Sequence, residues 1–520
     1  MFSVAVTDRA NRMNRRNVLI TATTLGGAVI WWASRTTQNG MSGMIMSGDN
    51  MTGMDMSKAE VAPGERIREL SIGAPLPEIT KLANSSQDAG QFAATLEAAS
   101  SSHEFVPGLS TQVLAYNGAV PGAMIEVFEG DRVSINFKNR IPGQASTIHW
   151  HGLDIPADQD GNPSAPVASG TDHTYEFTIP PNSAGSYWYH PHPHGQTAEQ
   201  VYRGLAAPFI VRSKTDPLSF ELGDTTLFIS SISLNADGTI AANTDADRFN
   251  GREGDHVLVN GAKRPILTLP PGSSRRFRVY NATNGRFLRL AVDGHHMTLV
   301  GTDGGLLAAP VAGLEELLLA PAERAEIVID FRAEAGNFTV NSMAYERGWM
   351  GRDKPLPTTL QLMTFELAGE AAAPIPLPLK LRDIEALGEP VSTKRIAFAE
   401  TMGMANGAMT MGFLIDGKTF DMTRVDLRSR AGDVELWEIA NTTDMDHPFH
   451  IHGTQFQIVE RERNGVKTPL SYLAWKDTVN ITSKETVRIK VRHSTPGLRM
   501  YHCHILEHED AGMMGQLDVA

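Results

Sequence analysis

Three segments of the chain repeat one pattern, in which a glycine turn is followed by alternating apolar and polar residues and ends at an asparagine. The copies are residues 129–139, 271–281 and 431–441, and they follow Asn-Gly or Asp-Gly pairs at 117–118, 260–261 and 416–417. Side chains of a β-strand alternate between its two faces, so this pattern predicts strands that bury one face. Short strands and Gly/Pro turns repeated three times predict an all-β chain of three Greek-key β-sandwich domains.

The N-terminus has the pattern of an export signal. Residues 14–17, Asn-Arg-Arg-Asn, precede an uncharged run at 18–32, and together they resemble a twin-arginine signal. The run is short for a membrane-spanning helix, although Trp31 and Trp32 would suit a membrane interface, so an uncleaved anchor is the alternative. A twin-arginine signal implies the twin-arginine export machinery as a partner and a periplasmic location in a bacterial cell envelope.

A Met-rich segment follows this signal. Residues 41–56 contain six methionines, separated mostly by Ser, Gly, Asp and Asn. Such a composition cannot form a packed core and predicts disorder. Because thioethers select Cu(I), copper capture is one interpretation of the segment, and a plain linker is the other.

Length and composition place the boundaries of the predicted domains. A chain of 520 residues and 56.5 kDa is too long for one hydrophobic core and favours about three domains. A Pro/Ala-rich stretch near residue 370 is typical of a linker. The expected order is an export signal, a Met-rich segment, domain one, domain two, a linker and domain three, at 1–40, 41–65, 66–213, 214–370, 371–390 and 391–520.

Charge and cysteine content narrow the functional classes. Lys and Arg number 46 against 59 Asp and Glu, and the resulting net charge of −13 argues against nucleic acid as a partner. A single cysteine excludes an intrachain disulfide. The expected oligomeric state is a monomer.

That cysteine lies among potential metal ligands. Cys503 stands between His502 and His504, and His508 and Met513 follow five and ten residues after it. On a strand, the flanking histidines point to one face and the cysteine to the other, so one strand would contact two sites. Thiolate, imidazole and a weak axial thioether are the ligands of a blue-copper centre.

Three further histidine clusters precede this one. An HxH pair on an extended segment places both imidazoles on one face, at a spacing that suits ligands of adjacent metals. The clusters are His149 and His151; His190, His192 and His194; and His447, His450 and His452. The second cluster allows two registers, because its first and last pairs both have HxH spacing. Domain two has no such pair, so we interpret its His256, His295 and His296 as structural.

In this order, and with the cysteine at this spacing, the four clusters resemble the signature of the multicopper oxidases over about residues 110–520. The resemblance implies cupredoxin-like domains and four copper ions, one of type 1, one of type 2 and two of type 3. It also implies one-electron oxidation of a reductant at the type 1 copper, coupled to four-electron reduction of O₂ to water at a trinuclear cluster.

The resemblance implies a role for each ligand, and in the ambiguous cluster the family pattern selects His190 and His192. The type 1 copper would be held by His447, Cys503, His508 and axial Met513. The type 2 copper would be held by His149 and His450. One type 3 copper would be held by His151, His190 and His504, and the other by His192, His452 and His502. Cys503 would lead electrons to the cluster, and Asp160 and Glu509 match the proton-relay carboxylates of the family, with surface acids as the alternative for both.

The reductant is suggested by a narrower resemblance. The stretches HWHGLDIP, YWYHPHPHG and HCHILEHEDAGMM resemble the bacterial copper-efflux oxidases, which convert Cu(I) to Cu(II). Candidate ligands of substrate copper are Met402, Met404, Met409, Met411 and Met445, and copper tolerance is the expected role. Packing at a domain seam is the alternative for the first four.

Other functions remain open at this point. The Met segment from Met402 to Met411 is shorter than the corresponding insert of the copper-efflux oxidases, which favours access of small phenols to the type 1 copper. A laccase or a bilirubin-oxidase-like phenol oxidase is therefore the alternative enzyme. A non-catalytic periplasmic copper-binding protein is the alternative from another class. A copper-free division protein of similar fold would lack ligands, and none is missing here.

Overall fold

The computed structural model of the chain describes residues 64–351, 354–405 and 408–520. The expected export signal at 1–40 and residues 41–63 of the expected Met-rich segment lie outside the described residues. Within these described ranges, no helix has the length and apolar character needed to cross a membrane.

The first sandwich consists of two four-stranded sheets. Its strands are β1 (Gln91–Val106), β2 (Leu109–Tyr116), β3 (Ile125–Phe128), β4 (Arg132–Arg140), β5 (His149–His151), β6 (Asp172–Thr178), β7 (Gly185–His190) and β8 (Ala207–Arg212). The sheet orders are β2-β1-β4-β6 and β3-β8-β7-β5. Alternate side chains of β4, Val133, Ile135 and Phe137, are buried in the core between them. A 3₁₀ turn (Ala157–Gln159) and helix α1 (Thr197–Tyr202) lie in the connections.

The second sandwich has sheets of six and five strands. Its strands are β9 (Asp224–Ile232), β10 (His256–Val259), β11 (Ile266–Leu269), β12 (Ser274–Asn281), β13 (Leu288–Val292), β14 (Met297–Thr302), β15 (Gly305–Leu314), β16 (Leu317–Leu319), β17 (Arg324–Asp330), β18 (Gly336–Met343) and β19 (Leu360–Leu367). The orders are β10-β9-β12-β17-β14-β15 and β11-β19-β18-β13-β16. A 3₁₀ turn (Phe220–Leu222) precedes β9, and helix α2 (Asp245–Asn250) precedes β10.

The third sandwich repeats this six-plus-five arrangement. Its strands are β20 (Ser392–Ala405), β21 (Ala408–Ile415), β22 (Leu427–Ser429), β23 (Val434–Asn441), β24 (His447–Ile451), β25 (Phe456–Arg463), β26 (Val466–Pro469), β27 (Thr478–Ile481), β28 (Glu485–Arg492), β29 (Gly497–Cys503) and β30 (Met514–Val519). The orders are β21-β20-β23-β28-β25-β26 and β22-β30-β29-β24-β27. Helix α3 (Leu506–Asp510) connects β29 to β30.

The three repeat segments occupy the same position in the three sandwiches. β4, β12 and β23 each have one parallel neighbour, which is β1, β9 and β20, respectively. Each also has one antiparallel neighbour, which is β6, β17 and β28. The prediction of an all-β fold with three cupredoxin-like Greek-key sandwiches is therefore confirmed. The expected boundaries at 213 and 370 fall after β8 and after β19, and they stay predictions.

The asparagine that ends each repeat strand bonds two backbone carbonyl groups. Nδ2 of Asn281 donates to the carbonyl oxygens of Arg286 and Leu319, at 2.8 and 2.9 Å. Asn139 and Asn441 each donate two equivalent bonds. Since a buried carbonyl without a donor costs free energy, the asparagine fixes the turn that follows the strand.

Replacing Asn281 with Ala is expected to destabilise the second sandwich by about 2 kcal/mol, because the two carbonyl groups lose their donor. Asn337, an exposed residue of β18, is the matched control, and its replacement with Ala should change stability by less than about 0.5 kcal/mol. Calorimetric unfolding of the metal-free protein measures both. Equal effects of the two variants would contradict the role assigned to Asn281.

Candidate metal centres

Two pairs of neighbouring strands carry most of the clustered histidines. In the first sandwich, β5 pairs with β7 and places His149 opposite His190. In the third sandwich, β24 pairs with β29 and places His450 opposite His502. Opposite residues of an antiparallel pair lie about 5 Å apart, so each HxH strand meets a second histidine strand across the ladder.

These strands form a histidine cluster between the first and third sandwiches. Its eight members are all fully buried: His149, His151, His190, His192, His450, His452, His502 and His504. Nε2 of His149 lies 3.4 Å from Nε2 of His450, and Nε2 of His502 lies 3.1 Å from Nε2 of His452. Three groups have ring nitrogens within 4.8 Å of one another: His149, His151 and His450; His151, His190 and His504; and His192, His452 and His502.

The outer ring nitrogens of the cluster face hydrogen-bond acceptors. Nδ1 of His450 lies 2.9 Å from the carbonyl oxygen of Asp477, and Nδ1 of His190 lies 2.9 Å from that of Pro191. His149 and His502 make similar contacts with the carbonyl oxygens of Asp160 and Cys503. Because a carbonyl oxygen only accepts, each of these nitrogens carries the hydrogen, and the other ring nitrogen keeps a free lone pair. This is the hydrogen-bond pattern of imidazoles that bind metal.

Burial keeps seven of the eight clustered imidazoles neutral at neutral pH. It lowers the pKa of His502 to about 3. Burial, aided by neighbouring histidines, also lowers the pKa well below the usual range for His151, His190, His192, His450, His452 and His504. Neutral imidazoles whose free nitrogen lone pairs converge are suited to bind copper ions.

A second site, the thiol site, consists of His447, Cys503 and His508. Nδ1 of His447 lies 3.3 Å from Sγ of Cys503 and 3.4 Å from Nδ1 of His508, whose distance to Sγ is 4.0 Å. Nε2 of His508 faces the carbonyl oxygen of Phe249 at 3.0 Å, which leaves Nδ1 free on the side of the sulfur. Met513 is buried in the same core, and its carbonyl oxygen accepts from the Cys503 amide at 3.0 Å.

The thiol needs a cation to ionise. Burial raises the pKa of the Cys503 thiol well above its usual range, so the isolated side chain stays protonated. A bound metal ion reverses this preference, because a coordinating thiol is deprotonated. Thiol and imidazole donors in a buried site fit a copper ion.

One strand links the two sites. Cys503 faces the thiol site, whereas His502 and His504 on either side belong to the histidine cluster. The side-chain alternation predicted from the sequence is therefore present, although β29 ends at Cys503 and His504 follows it in a bend.

The structure brings both predicted carboxylates to the histidine cluster, and neither is a surface acid. Asp160 is fully buried, with Oδ2 at 3.0 Å from Nδ1 of His452. Glu509 is buried as well, with its oxygens 3.3 Å from Nε2 of His192 and 3.2 Å from Nδ1 of His502. Burial and the neighbouring Asp510 raise the pKa of Glu509 well above its usual range, which favours the protonated carboxyl group.

The ambiguous histidine register has one arrangement in the structure. His190 and His192 lie in the cluster, whereas His194 is exposed and its ring is 5.0 Å from that of Phe420. The histidines of the second sandwich stay apart from both sites. His256 contacts the carbonyl oxygen of Ile67, and His295 lies against Phe331 and Phe338.

Met402 and Met411, two of the five predicted methionines, share one face of the β20–β21 hairpin. In its register Met402 lies opposite Met411, and Met404 lies opposite Met409. Met402 is 64% exposed, whereas Met411 packs against the core of the third sandwich. Met445 is fully buried and does not belong to this face.

Several residues that contact the sites have no motif of their own. Oδ1 of Asp477 lies 3.0 Å from Nε2 of His151, and Arg324 forms two bonds with the same carboxylate. Near the thiol site, Oε1 of Glu400 lies 3.1 Å from Nε2 of His447. Phe413 stacks on the ring of His508, with 4.0 Å between centroids. A local sequence pattern could have indicated Glu400, because it precedes Met402 and Met404 at strand spacing. No local sequence pattern indicates Asp477.

The buried thiol–imidazole site is joined through one strand to the cluster of neutral histidines. This arrangement is typical of the class of copper-dependent oxidoreductases. Comparison with known proteins gives the family. Multicopper oxidase models match residues 97–216, 225–362 and 396–520. The chain belongs to the multicopper oxidase family, and it is an oxidoreductase with oxygen as acceptor.

Individual relatives extend over nearly the whole chain. A multicopper oxidase from Campylobacter jejuni, described as a metallo-oxidase, has 41% identity and a TM-score of 0.82, covering 88% of this chain and 98% of its own. Multicopper oxidase mco of Staphylococcus haemolyticus is 31% identical, over 92% of this chain and 99% of its own. Cell division protein FtsP of Escherichia coli is 30% identical, over 79% and 86%, so the fold is also shared with a protein of another function.

Proposed function

We propose that the chain couples the one-electron oxidation of Cu(I), or of small phenols, to the four-electron reduction of O₂ to water. The main support is the position of Cys503, which faces the thiol site while its two neighbours face the histidine cluster. Copper bound at the two sites would supply single-electron acceptance at the first and O₂ binding and reduction at the second. The side chains of the protein would hold the ions, exclude water and deliver protons.

The ligand sets follow from the groups of neighbouring donor atoms. His447, Cys503 and His508 would hold a type 1 copper, and Met513, buried in the same core, would supply a weak thioether ligand. His149 and His450, whose Nε2 atoms face each other, would hold a type 2 copper. The type 3 pair would be held by His151, His190 and His504, and by His192, His452 and His502. Electrons would pass from Cys503 through its backbone to the neighbouring histidines.

Two buried carboxyl groups are suited to deliver protons to the histidine cluster. Glu509 contacts His192 and His502, and burial raises its pKa, which favours the protonated form that can donate a proton. Asp160 lies on another side of the cluster, where it contacts His149 and His452. Their separate positions would allow protons to reach bound oxygen from two directions.

The β20–β21 hairpin favours Cu(I) as a reductant. Directly opposite residues of an antiparallel pair share one face, so Glu400 and Phe413, and Met402 and Met411, form one row. The first pair contacts both histidines of the thiol site, because Glu400 bonds His447 and Phe413 stacks on His508. The pair Met402 and Met411 continues this row, and thioethers prefer Cu(I).

Replacing Met402 and Met411 together with Leu is expected to slow Cu(I) oxidation about tenfold, equivalent to about 1.4 kcal/mol of lost binding. Phenol oxidation should be unchanged, because leucine keeps the packing volume. Met422→Leu, at an exposed methionine outside the hairpin, is the matched control. Oxygen uptake with each reductant measures the effect. Equal slowing with both reductants would show that the pair acts on packing instead.

Oxygen uptake by the copper-loaded protein tests the proposed function. The reductants are Cu(I) and, separately, 2,6-dimethoxyphenol, without and with added Cu(II). Strong Cu(I) turnover, with phenol oxidation that rises on added copper, would support a role in copper tolerance. Fast phenol turnover that ignores added copper would indicate a laccase. Copper binding without oxygen uptake would indicate a non-catalytic copper protein.

A role in copper tolerance is consistent with export. We infer a periplasmic location from the twin-arginine pattern at residues 14–17. Cell fractionation of a variant with Arg15 and Arg16 both replaced by Lys tests this inference. Absence of the wild type from the periplasm would contradict the inferred location, and unchanged periplasmic recovery of the variant would contradict the twin-arginine route.

A further inference from the structure

We propose that Arg324 and Asp477 form a positioning pair for His151, through which the second sandwich influences copper binding although it supplies no ligand. The inference rests on the proposed function, because it assigns a nitrogen of His151 to a type 3 copper. Three sandwiches meet at this point: His151 belongs to the first, Arg324 to the second and Asp477 to the third.

Asp477 determines which nitrogen of His151 carries the hydrogen. Oδ1 of Asp477 lies 3.0 Å from Nε2 of His151, and this carboxylate can only accept. Nε2 is therefore the protonated nitrogen, and Nδ1, which is buried without any hydrogen-bond partner, keeps the lone pair. His149, His190, His450 and His502 have the opposite arrangement, in which Nδ1 faces the acceptor. His151 thus needs a specific carboxylate to present the other nitrogen.

Arg324 holds that carboxylate in place. Its Nη1 donates to Oδ1 of Asp477 at 2.7 Å and its Nη2 donates to Oδ2 at 2.6 Å, and both residues are fully buried. A buried carboxylate is costly without such a partner, so the two-pronged bond offsets part of that cost and fixes the orientation of the carboxylate. Arg324 is itself fixed, because its Nε donates to the carbonyl oxygen of Ser186 at 2.8 Å and its amide donates to Asp303 at 2.7 Å.

Close packing leaves the pair no freedom to move. Gly152, the residue after His151, has a φ of +89°, and a Cβ built there would collide with the Asp477 carboxylate and with Arg324. The ion pair therefore lies directly against the backbone of the first HxH strand. The hydroxyl of Thr478 donates to Oδ1 of Asp477 at 2.9 Å and adds a further constraint.

Copper titration of the metal-free protein tests the pair, with a chelator competing for the ions. Asp477→Asn should weaken binding of one type 3 copper about 10–100-fold, the usual cost of losing a partner that orients a ligand. Electron paramagnetic resonance gives an independent readout, because a coupled pair of copper ions gives no signal, whereas a single remaining copper ion gives one. The detectable fraction of bound copper should therefore rise in this variant.

Two further variants separate positioning from stability. Glu326→Gln removes a buried carboxylate on the same strand as Arg324, which bonds Arg276 and Arg278 and contacts none of the clustered histidines. Its copper binding should equal that of the wild type. Arg324→Lys keeps the positive charge but cannot form the two-pronged bond, so it should lose less copper affinity than Asp477→Asn. If Asp477→Asn does not fold, Arg324→Lys serves as the test variant instead.

The outcomes are distinct. Unchanged copper affinity in Asp477→Asn and Arg324→Lys would overturn the pair, as would an equal loss in Glu326→Gln. Wild-type protein that binds no copper at the histidine cluster would overturn the proposed function, and the pair with it. Loss of coupled copper in Asp477→Asn, with a smaller loss in Arg324→Lys and none in Glu326→Gln, would establish the positioning pair.

Discussion

Cys503→Ser is expected to remove the blue colour and reduce oxidase activity more than about 100-fold, since even changes to residues that merely orient ligands cost about 10–100-fold. The hydroxyl of serine ionises far less readily than a thiol and is a hard oxygen donor, so it cannot replace the thiolate. The sulfur contacts His447, His508 and the Ile505 amide and none of the eight clustered histidines, so copper binding there should persist. Visible absorption, oxygen uptake and copper content measure the three effects.

Met513→Leu is the contrasting variant for the thiol site. An axial thioether is a weak ligand that tunes the redox potential, so this variant should keep its colour and a large part of its activity. A Cys503→Ser protein that still oxidises phenols at the wild-type rate would overturn the electron path through the thiol site. Loss of colour in both variants would instead indicate that the site tolerates no change in packing.

The fold was predictable because its signals are local. The alternation over 132–139 and the asparagine at its end are contained in one short segment, and they recur in β12 and β23. The clustered histidines were predictable for a similar reason, because an HxH pair on a strand presents both rings to one side. Cys503 between two histidines is a third local signal, because one strand can contact two sites only when the ligands alternate along it.

The residues that surround the ligands were harder to predict, because their partners are distant in the chain. Asp477 meets His151 across 326 positions and Arg324 across 153, and neither pairing follows from a local pattern. Arg324 lies in a domain without ligands, where sequence spacing gives no reason to look for one. Phe249 likewise supplies only its backbone oxygen to His508, a contact to which any residue type is suited.

Glu509→Gln is expected to slow O₂ reduction about 10²–10³-fold, because an amide cannot release the proton that a positioned acid supplies. Electron entry should be unaffected, since Glu509 contacts histidines of the cluster and none of the thiol site. Bleaching of the blue colour by reductant without oxygen should therefore keep its rate, while the return of the colour on adding O₂ should slow. Rapid mixing with absorption detection separates the two steps.

The pH profile gives a second test of Glu509. Burial raises its pKa, so the carboxyl group is protonated below that raised value and loses its proton as the pH rises through it. Wild-type O₂ reduction should accordingly fall at high pH, and Glu509→Gln should lose this dependence. Glu507→Gln is the matched control, because Glu507 is equally buried on α3 but bonds Arg252 and Asn284 and none of the clustered histidines. Equal slowing of colour return in both variants would mean that burial of an acid in α3, and not proton delivery by Glu509, determines the rate.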